Sequence, residues 1–371
     1  MRVLHCIPSL AGGGAERQCV YLAGELARLG VEVHVAVAKY DRTEAVNQLA
    51  AVATIHLLGA GGGTDLKRTQ RNWRLPFHLL GLMRSLQPDL VQTWNRPMDL
   101  YAGLAASLLG RPWILSERNA GALYTDLREH SRRWVARRAA AIVANSTGGD
   151  QYWAAYASRN THREVIPNML PLENIRRELA GEAGPKPSGG LPRLLYVGRF
   201  EPQKNIEVMM EGFCRAVAAA PGEVVLLGDG QLRGWAEQRV AERGLRGQFQ
   251  FKGFTDPPWQ EMGQASLLVL ASRFEGHPNV VCEAMAAGCP VVLSDVPAHR
   301  ALFKDSQAVF FDANNPADLA RAIRLVLDHP EQTRQRVAAA GKLVSGWSPE
   351  LIARRYLALY VKLNAARHPN A

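Results

Sequence analysis

The stretch Arg273-Phe274-Glu275-Gly276-His277-Pro278-Asn279-Val280-Val281-Cys282-Glu283-Ala284-Met285-Ala286-Ala287-Gly288-Cys289-Pro290 lies between two short apolar runs, Leu267 to Leu270 and Val291 to Ser294. Gly276 and Pro278 mark a loop, and the small and apolar residues after it fit a short helix, so the order is strand, loop, helix, strand. Continuous apolar runs of this length belong to strands covered on both faces, as in a parallel sheet with crossover helices.

The same alternation extends outward in both directions. In the second half, strands are expected near Leu194 to Val197, Val224 to Leu227, Gln248 to Lys252 and Ala308 to Phe311. In the first half they are expected at Arg2 to Ile7, Glu32 to Ala38, Ala53 to Leu57, Leu90 to Thr93, Trp113 to Ser116 and Ala141 to Asn145. Ala15 to Leu29 carries Val20, Leu22, Ala23, Leu26 and Ala27 at helical spacing, and Gly30 ends it. The fold class is therefore α/β, doubly wound. Glu182 to Pro192 is the densest Gly/Pro stretch and divides the two series. The expected organisation is an N-terminal domain over 1–172, a linker over 173–192, a C-terminal domain over 193–347, and a helix over 348–371 returning to the first domain. A chain of 371 residues is long enough for two such cores.

Composition narrows the partners. Hydrophobic residues at 47% and charged residues at 21% exclude disorder, collagen and coiled coil as whole-chain answers. The 44 basic against 34 acidic residues leave a charge of +10, which points to an anionic partner. Of these, 22 basic but only 15 acidic residues lie in 1–180, so most of the excess is N-terminal. Cys6, Cys19, Cys214, Cys282 and Cys289 form no C-x-x-C pair, which fits a reducing compartment. No run approaches the roughly 20 apolar residues of a membrane span. The expectation is a cytoplasmic protein, peripheral at most on the inner face of the cytoplasmic membrane.

Ligands of doubly wound sheets bind at the C-terminal ends of strands, and two such sheets facing each other would form a cleft. Gly12-Gly13-Gly14-Ala15-Glu16 follows the first strand and opens a helix, so it is either an anion site or a tight turn. Gly198-Arg199-Phe200-Glu201-Pro202-Gln203-Lys204-Asn205 places two cations five residues apart after a strand, suited to a diphosphate. Gly228-Asp229-Gly230 marks another turn on that rim. Glu275 and Glu283 lie eight residues apart, where carboxylates can accept from vicinal hydroxyls, and backbone N–H groups at Asn279, Val280 and Val281 can meet phosphate. Glu283 reads equally as a first-turn helix glutamate.

These stretches together resemble the retaining glycosyltransferases of family 4. The resemblance is carried by Gly198-Arg199-Phe200-x3-Lys204-Asn205, Gly228-Asp229-Gly230, Phe251-Lys252-Gly253-Phe254, the E-x7-E element from Glu275 to Glu283 followed by Ala287-Gly288-Cys289-Pro290, and the N-terminal glycine loop. It implies a GT-B fold, two Rossmann-like doubly wound domains facing a central cleft. It also implies transfer of a sugar from a UDP- or GDP-linked donor to a hydroxyl of a lipid-linked or envelope glycan, with no cofactor and no metal. Arg199 and Lys204 would neutralise the diphosphate, Glu275 bind the donor sugar, Glu283 the ribose, and Asn279 to Val281 the phosphate or sugar. Phe254 would lie near the base, with Gly228 at the rim and Gly13 and Gly14 closing from the other wall.

The family's N-terminal histidine is replaced here by Ser116-Glu117-Arg118-Asn119, and Gln92-Thr93-Trp94-Asn95-Arg96 likewise lacks the histidines of many relatives. Arg118 is accordingly taken as a catalytic residue, with Asn95, Glu117 and Asn119 on the acceptor side. His277 is either catalytic or loop-structuring. Two basic clusters with tryptophan, Lys67 to Arg74 and Arg128 to Arg138, suit an anionic membrane surface or remain solvated faces. Nucleic acid is excluded as a partner because no recognition motif accompanies the charge. A non-catalytic nucleotide-sugar-binding subunit and a sugar-nucleotide epimerase remain as alternatives.

Overall fold

The computed structural model describes residues 1–10, 13–40, 44–58, 74–118, 126–182 and 190–366. The chain forms two compact units, Met1–Met169 with Pro349–Ala371, and Leu170–Ser348.

Among the described residues of the first unit, seven parallel strands form one sheet: β1 (Arg2–Leu10), β2 (Glu32–Tyr40), β3 (Thr54–Leu57), β4 (Leu90–Trp94), β5 (Trp113–Glu117), β6 (Ala141–Ala144) and β7 (His162–Val165). Their order is β3-β2-β1-β4-β5-β6-β7, which reverses direction between β1 and β4. β7 is an addition to the expected set. Its sequence, His162-Arg163-Glu164-Val165, is polar because it is an edge strand without a fully buried residue.

The second unit carries six parallel strands: β8 (Arg193–Val197), β9 (Glu223–Leu227), β10 (Phe249–Gly253), β11 (Leu267–Leu270), β12 (Val291–Ser294) and β13 (Val309–Phe311). The order β10-β9-β8-β11-β12-β13 places its switch point between β8 and β11. All four residues of β11 are fully buried, as expected for a central parallel strand. Helices Ile206–Ala219 and Pro316–Asp328 pack closely over this sheet because Gly212 has no side chain; a Cβ there would sit 2.4 Å from Leu319.

One boundary differs from expectation. Residues 172–182 form the helix Leu172–Glu182 and not the start of a linker. Leu172, Ile175 and Leu179 line one side of it and join the core of the second unit. That stripe of three is short and flanked by charge, so it is easily overlooked beside the Gly/Pro run. Of the remainder of the expected linker, 183–189 lie outside the described residues.

The last helix, Pro349–Ala365, packs on the helix Gly14–Arg28 of the first unit. Tyr356 accepts from Arg118 Nη2 at 2.8 Å, and Tyr360 donates to Gln92. Among the described residues no helix is long and apolar enough to cross a membrane.

Candidate functional site

At the switch point of the second sheet, the loops after β8 and β11 meet. The backbone N–H of Arg273 donates to Gln203 O at 2.9 Å, and Gln203 Nε2 donates to Phe274 O at 3.1 Å. This brings Lys204 Nζ to 2.6 Å from Glu275 Oε1, with 15% and 9% of the two side chains exposed. The sequence reading gave these residues separate ligand contacts; the structure makes them one ion pair, largely withdrawn from water. Gln203 is the residue it overlooked, since a glutamine between proline and lysine carries no motif.

Arg199 lies on the same loop with its side chain exposed and without an ion pair among the described residues. Its carbonyl is held by the Tyr196 hydroxyl at 2.8 Å, and burial pushes that phenol up in pKa. Asn205 closes the loop in a left-handed conformation, φ 55°, and its Nδ2 donates to Ala313 O at 2.7 Å.

Gly228 and Gly230 turn out to be demanded by the backbone itself. Gly228 has φ 133°, and a Cβ there would lie 1.9 Å from Gly198 O; Gly230 has φ 150°, with Phe200 O at 2.7 Å from such an atom. No other residue fits either position, whatever binds beside them. Gly13 is the opposite case. Its φ is −71° and a Cβ would make only ordinary contact, 3.5 Å from Glu16 Oε2. Neither conformation nor space within the first unit requires glycine at 13. Its N–H donates to Glu16 Oε2 at 2.8 Å, and both Gly13 and Gly14 are exposed. Gly12 and the loop Gly61–Gly63 lie outside the described residues.

The helix Asn279–Ala286 begins close to Glu275, but two of the three amides expected to face phosphate are already used. Asn279 N–H donates to His277 O at 2.9 Å and Val281 N–H to Pro278 O at 3.0 Å, whereas the Val280 N–H has no partner among the described residues. Glu283 is buried, with Oε2 3.4 Å from Trp259 Nε1. Trp259 was not anticipated, because an indole partner 24 positions before Glu283 has no local signature. Phe254 follows β10 with 80% of its surface exposed. His277 packs edge-on against Trp347 with ring centroids 5.3 Å apart, a loop-structuring position.

In the first unit the charged residues taken for cleft residues are held by partners of their own unit, Arg118 half-buried and Glu117 buried. Arg118 donates through Nη1 to Asn168 Oδ1 at 3.0 Å and through Nη2 to Tyr356, and its Cζ lies 4.4 Å from the centre of the Trp94 ring. The guanidinium thus anchors the last helix, a role the sequence reading did not give it. Glu117, expected on the acceptor side, is buried, receiving Trp153 Nε1 at 3.0 Å and Arg132 Nη2 at 2.9 Å. Arg132 likewise leaves the expected basic surface. It is buried among Glu117, Asp99 (Nε to Oδ2, 2.8 Å) and Glu129 (Nη1 to Oε1, 3.3 Å). Burial lifts the Asp99 carboxyl to about 6, against the opposing pull of Arg132 and the Thr93 hydroxyl. Of that cluster, Arg128, Trp134, Arg137 and Arg138 are exposed.

Asn95 begins the helix after β4, beside the switch point of the first sheet, and holds φ 67°, a left-handed conformation that asparagine tolerates. Asn119 and residues 67–73 lie outside the described residues. Among the described residues no cluster of three or more His, Cys, Asp or Glu is placed to hold a metal ion.

Comparison with known proteins follows the same two-part division. Residues 12–174 match the profile described as Glycosyltransferase Family 4, and residues 183–344 match that described as Glycosyl transferases group 1. The lipopolysaccharide core biosynthesis glycosyltransferase LpsE of Rhizobium meliloti (strain 1021) is 26% identical over 364 residues, covering 94% of this chain and 95% of its own. The crystal structure of Anabaena Alr3699/HepE in complex with UDP superposes with a TM-score of 0.80 at 17% identity, over 98% of this chain and 100% of that one. The lipopolysaccharide outer core galactosyltransferase WaaB, in its apo form, gives 0.72 at 17% identity, over 98% and 100%. These likenesses of fold identify both sheets as the domains of a GT-B architecture.

Proposed function

This chain belongs to glycosyltransferase family 4, and from that premise we propose that it moves a sugar from a UDP- or GDP-linked donor to a hydroxyl of a lipid-linked or envelope glycan. In this reading the transfer retains anomeric configuration and needs no divalent metal. The Lys204–Glu275 pair at the switch point carries the proposal.

The chemistry follows from charge. When the bond between the sugar and the diphosphate oxygen breaks, its electron pair leaves with the diphosphate, and negative charge grows there. Arg199 and Lys204 stabilise that growing charge more than the ground state, which is what lowers a barrier. They supply the positive charge that a metal ion brings in other transferases. Glu275 accepts from donor sugar hydroxyls, Glu283 from the ribose, and the Val280 amide meets phosphate or sugar. Phe254 offers an exposed ring to the base. Gly13 and Gly14 leave room for close approach, which agrees with the first unit having no need of its own for glycine at 13.

The relatives support the donor and acceptor classes. Alr3699/HepE has been crystallised with UDP and with UDP-glucose, and LpsE is named for lipopolysaccharide core biosynthesis. The test is incubation with UDP- and GDP-sugars and a lipid-linked glycan, with the anomer read by NMR. Retention is expected, at a rate unchanged by EDTA. Inversion, or activity lost to EDTA and restored by Mg²⁺, would overturn the corresponding part; an epimer formed without acceptor would favour the epimerase.

We further propose that Arg128, Trp134, Arg137 and Arg138 face anionic lipid. Sedimentation with phosphatidylglycerol vesicles is expected, weakened by Arg137→Glu with Arg138→Glu. Equal recovery with neutral phosphatidylcholine vesicles would remove this part.

A further inference from the structure

His299 stands in none of the motifs above, yet it is fully buried within electrostatic reach of the Lys204–Glu275 pair. It lies in the short helix Pro297–Arg300 that follows β12. Its Nδ1 is 2.8 Å from Ser294 O and 3.2 Å from Ser294 Oγ. A carbonyl oxygen only accepts, so Nδ1 carries the proton and Nε2 of the neutral ring keeps a lone pair. That Nε2 is buried and has no hydrogen-bond partner. Buried polar atoms are nearly always paired, so an orphan of this kind calls for a reason.

The surroundings narrow the choice. Glu275, Lys204 and Asp295 are the charged groups that act most strongly on the imidazole. Asp295 is already held by both Nε and Nη2 of Arg300, at 2.7 and 2.8 Å. A carboxylate oxygen of Glu275 has no proton to give a lone pair. Lys204 does: its ammonium carries three N–H groups, of which one meets Glu275 among the described residues. The scaffold is shared as well, because Ser294 Oγ donates at 2.7 Å to the carbonyl of Ser272, three residues before Glu275. Burial lowers the pKa of His299, which keeps the ring neutral; an imidazolium there would repel Lys204 and compete for Glu275.

We infer that His299 is a positioning residue of the donor site, whose Nε2 receives the Lys204 ammonium when a diphosphate draws it away from Glu275. Glu275 is then free to accept from hydroxyls, and Lys204 stays aimed while it changes partner. The inference rests on the reading of Lys204 as the diphosphate cation.

Two isosteric substitutions separate the two nitrogens. His299→Asn keeps a donor at the Nδ1 position for Ser294 and removes the acceptor at Nε2. His299→Gln keeps an acceptor near Nε2 and gives up the donor. Calorimetric titration of the full chain with UDP and with GDP, beside a melting curve, is the measurement. His299→Asn should weaken nucleotide binding about tenfold or more, the size of a hydrogen bond to a charged group, with little loss in Tm. His299→Gln should bind within about threefold of the wild type while melting lower. His299→Asn binding like the wild type, or His299→Gln binding as weakly as His299→Asn, overturns the role of Nε2 and leaves the donor site standing. Failure of the wild type to bind either nucleotide overturns the donor-site reading itself, and His299 with it.

Discussion

Lys204→Met is expected to lower kcat/KM for the nucleotide sugar by about 10²–10³, the usual cost of removing one group aimed at charge that develops in a transition state. Methionine keeps most of the length and apolar stem of lysine, so the loss reports charge more than packing. Two effects act together. The diphosphate loses a cation where its charge grows, and Glu275 is left in a nearly buried site without its partner at 2.6 Å. The second effect is structural, so the melting curve must be read beside the kinetics. Lys204→Met with Glu275→Gln restores neutrality in the pocket and should regain stability but not activity. Lys204→Arg restores charge in a planar fork and should recover only part of the rate. If Lys204→Met keeps its rate within about threefold, the pair serves the fold alone and Lys204 is not the cation that meets the diphosphate.

Arg132→Met is expected to destabilise the first unit by about 3–5 kcal/mol, because removing one partner of a buried ion pair strands the other charges. Here Asp99, Glu117 and Glu129 all lose their shared guanidinium, while Glu129 keeps Arg96 Nε at 3.0 Å. For a unit of this size the melting temperature should fall by roughly 2–4 °C per kcal/mol. The pH dependence has a definite sign. Burial has raised Asp99 to about 6 from its ordinary 3.8. Between those values the folded state holds more protons than the unfolded state, so this group favours folding as pH falls through about 6. Removing Arg132 takes away a cation that holds Asp99 down, so the variant gains more from acid than the wild type does. Urea melts at about pH 8 and about pH 5 should therefore show a deficit that narrows in acid. Equal stability of the two proteins at the higher pH would mean that the buried network contributes nothing.

The same two sites mark where sequence reasoning succeeds and where it stops. The loops after β8 and β11 were legible because strand-loop-helix units have a local signature: an apolar run, then Gly and Pro, then a helix. A doubly wound sheet then directs ligands to those loop positions. The six expected strands of each half all form, and their ends shift only by a few residues. β7 was missed because an edge strand need not be apolar, and the helix Leu172–Glu182 because its stripe has only three members.

The charged residues divide differently. Arg118, Glu117 and Arg132 look like surface or cleft residues in a sequence, since charge is ordinarily kept in water. Their partners are Asn168 and Tyr356 for Arg118, Trp153 for Glu117, and Asp99, Glu117 and Glu129 for Arg132. Most of these come from other strands and helices, one of them 238 residues away. Gly13 and Gly228 repeat the lesson for glycine, as only one of them is required by its own unit.

The amino-acid sequence by itself determined the two doubly wound sheets, the family and the loops on which Lys204, Arg199 and Glu275 stand, because periodicity and turn chemistry act between near neighbours. Only the tertiary structure decided that Lys204 and Glu275 are a single pair, that Arg118 anchors a helix, and that His299 keeps an unspent lone pair within their electrostatic reach. Burial and pairing of charge depend on what the rest of the chain brings to a residue, and no local pattern records that.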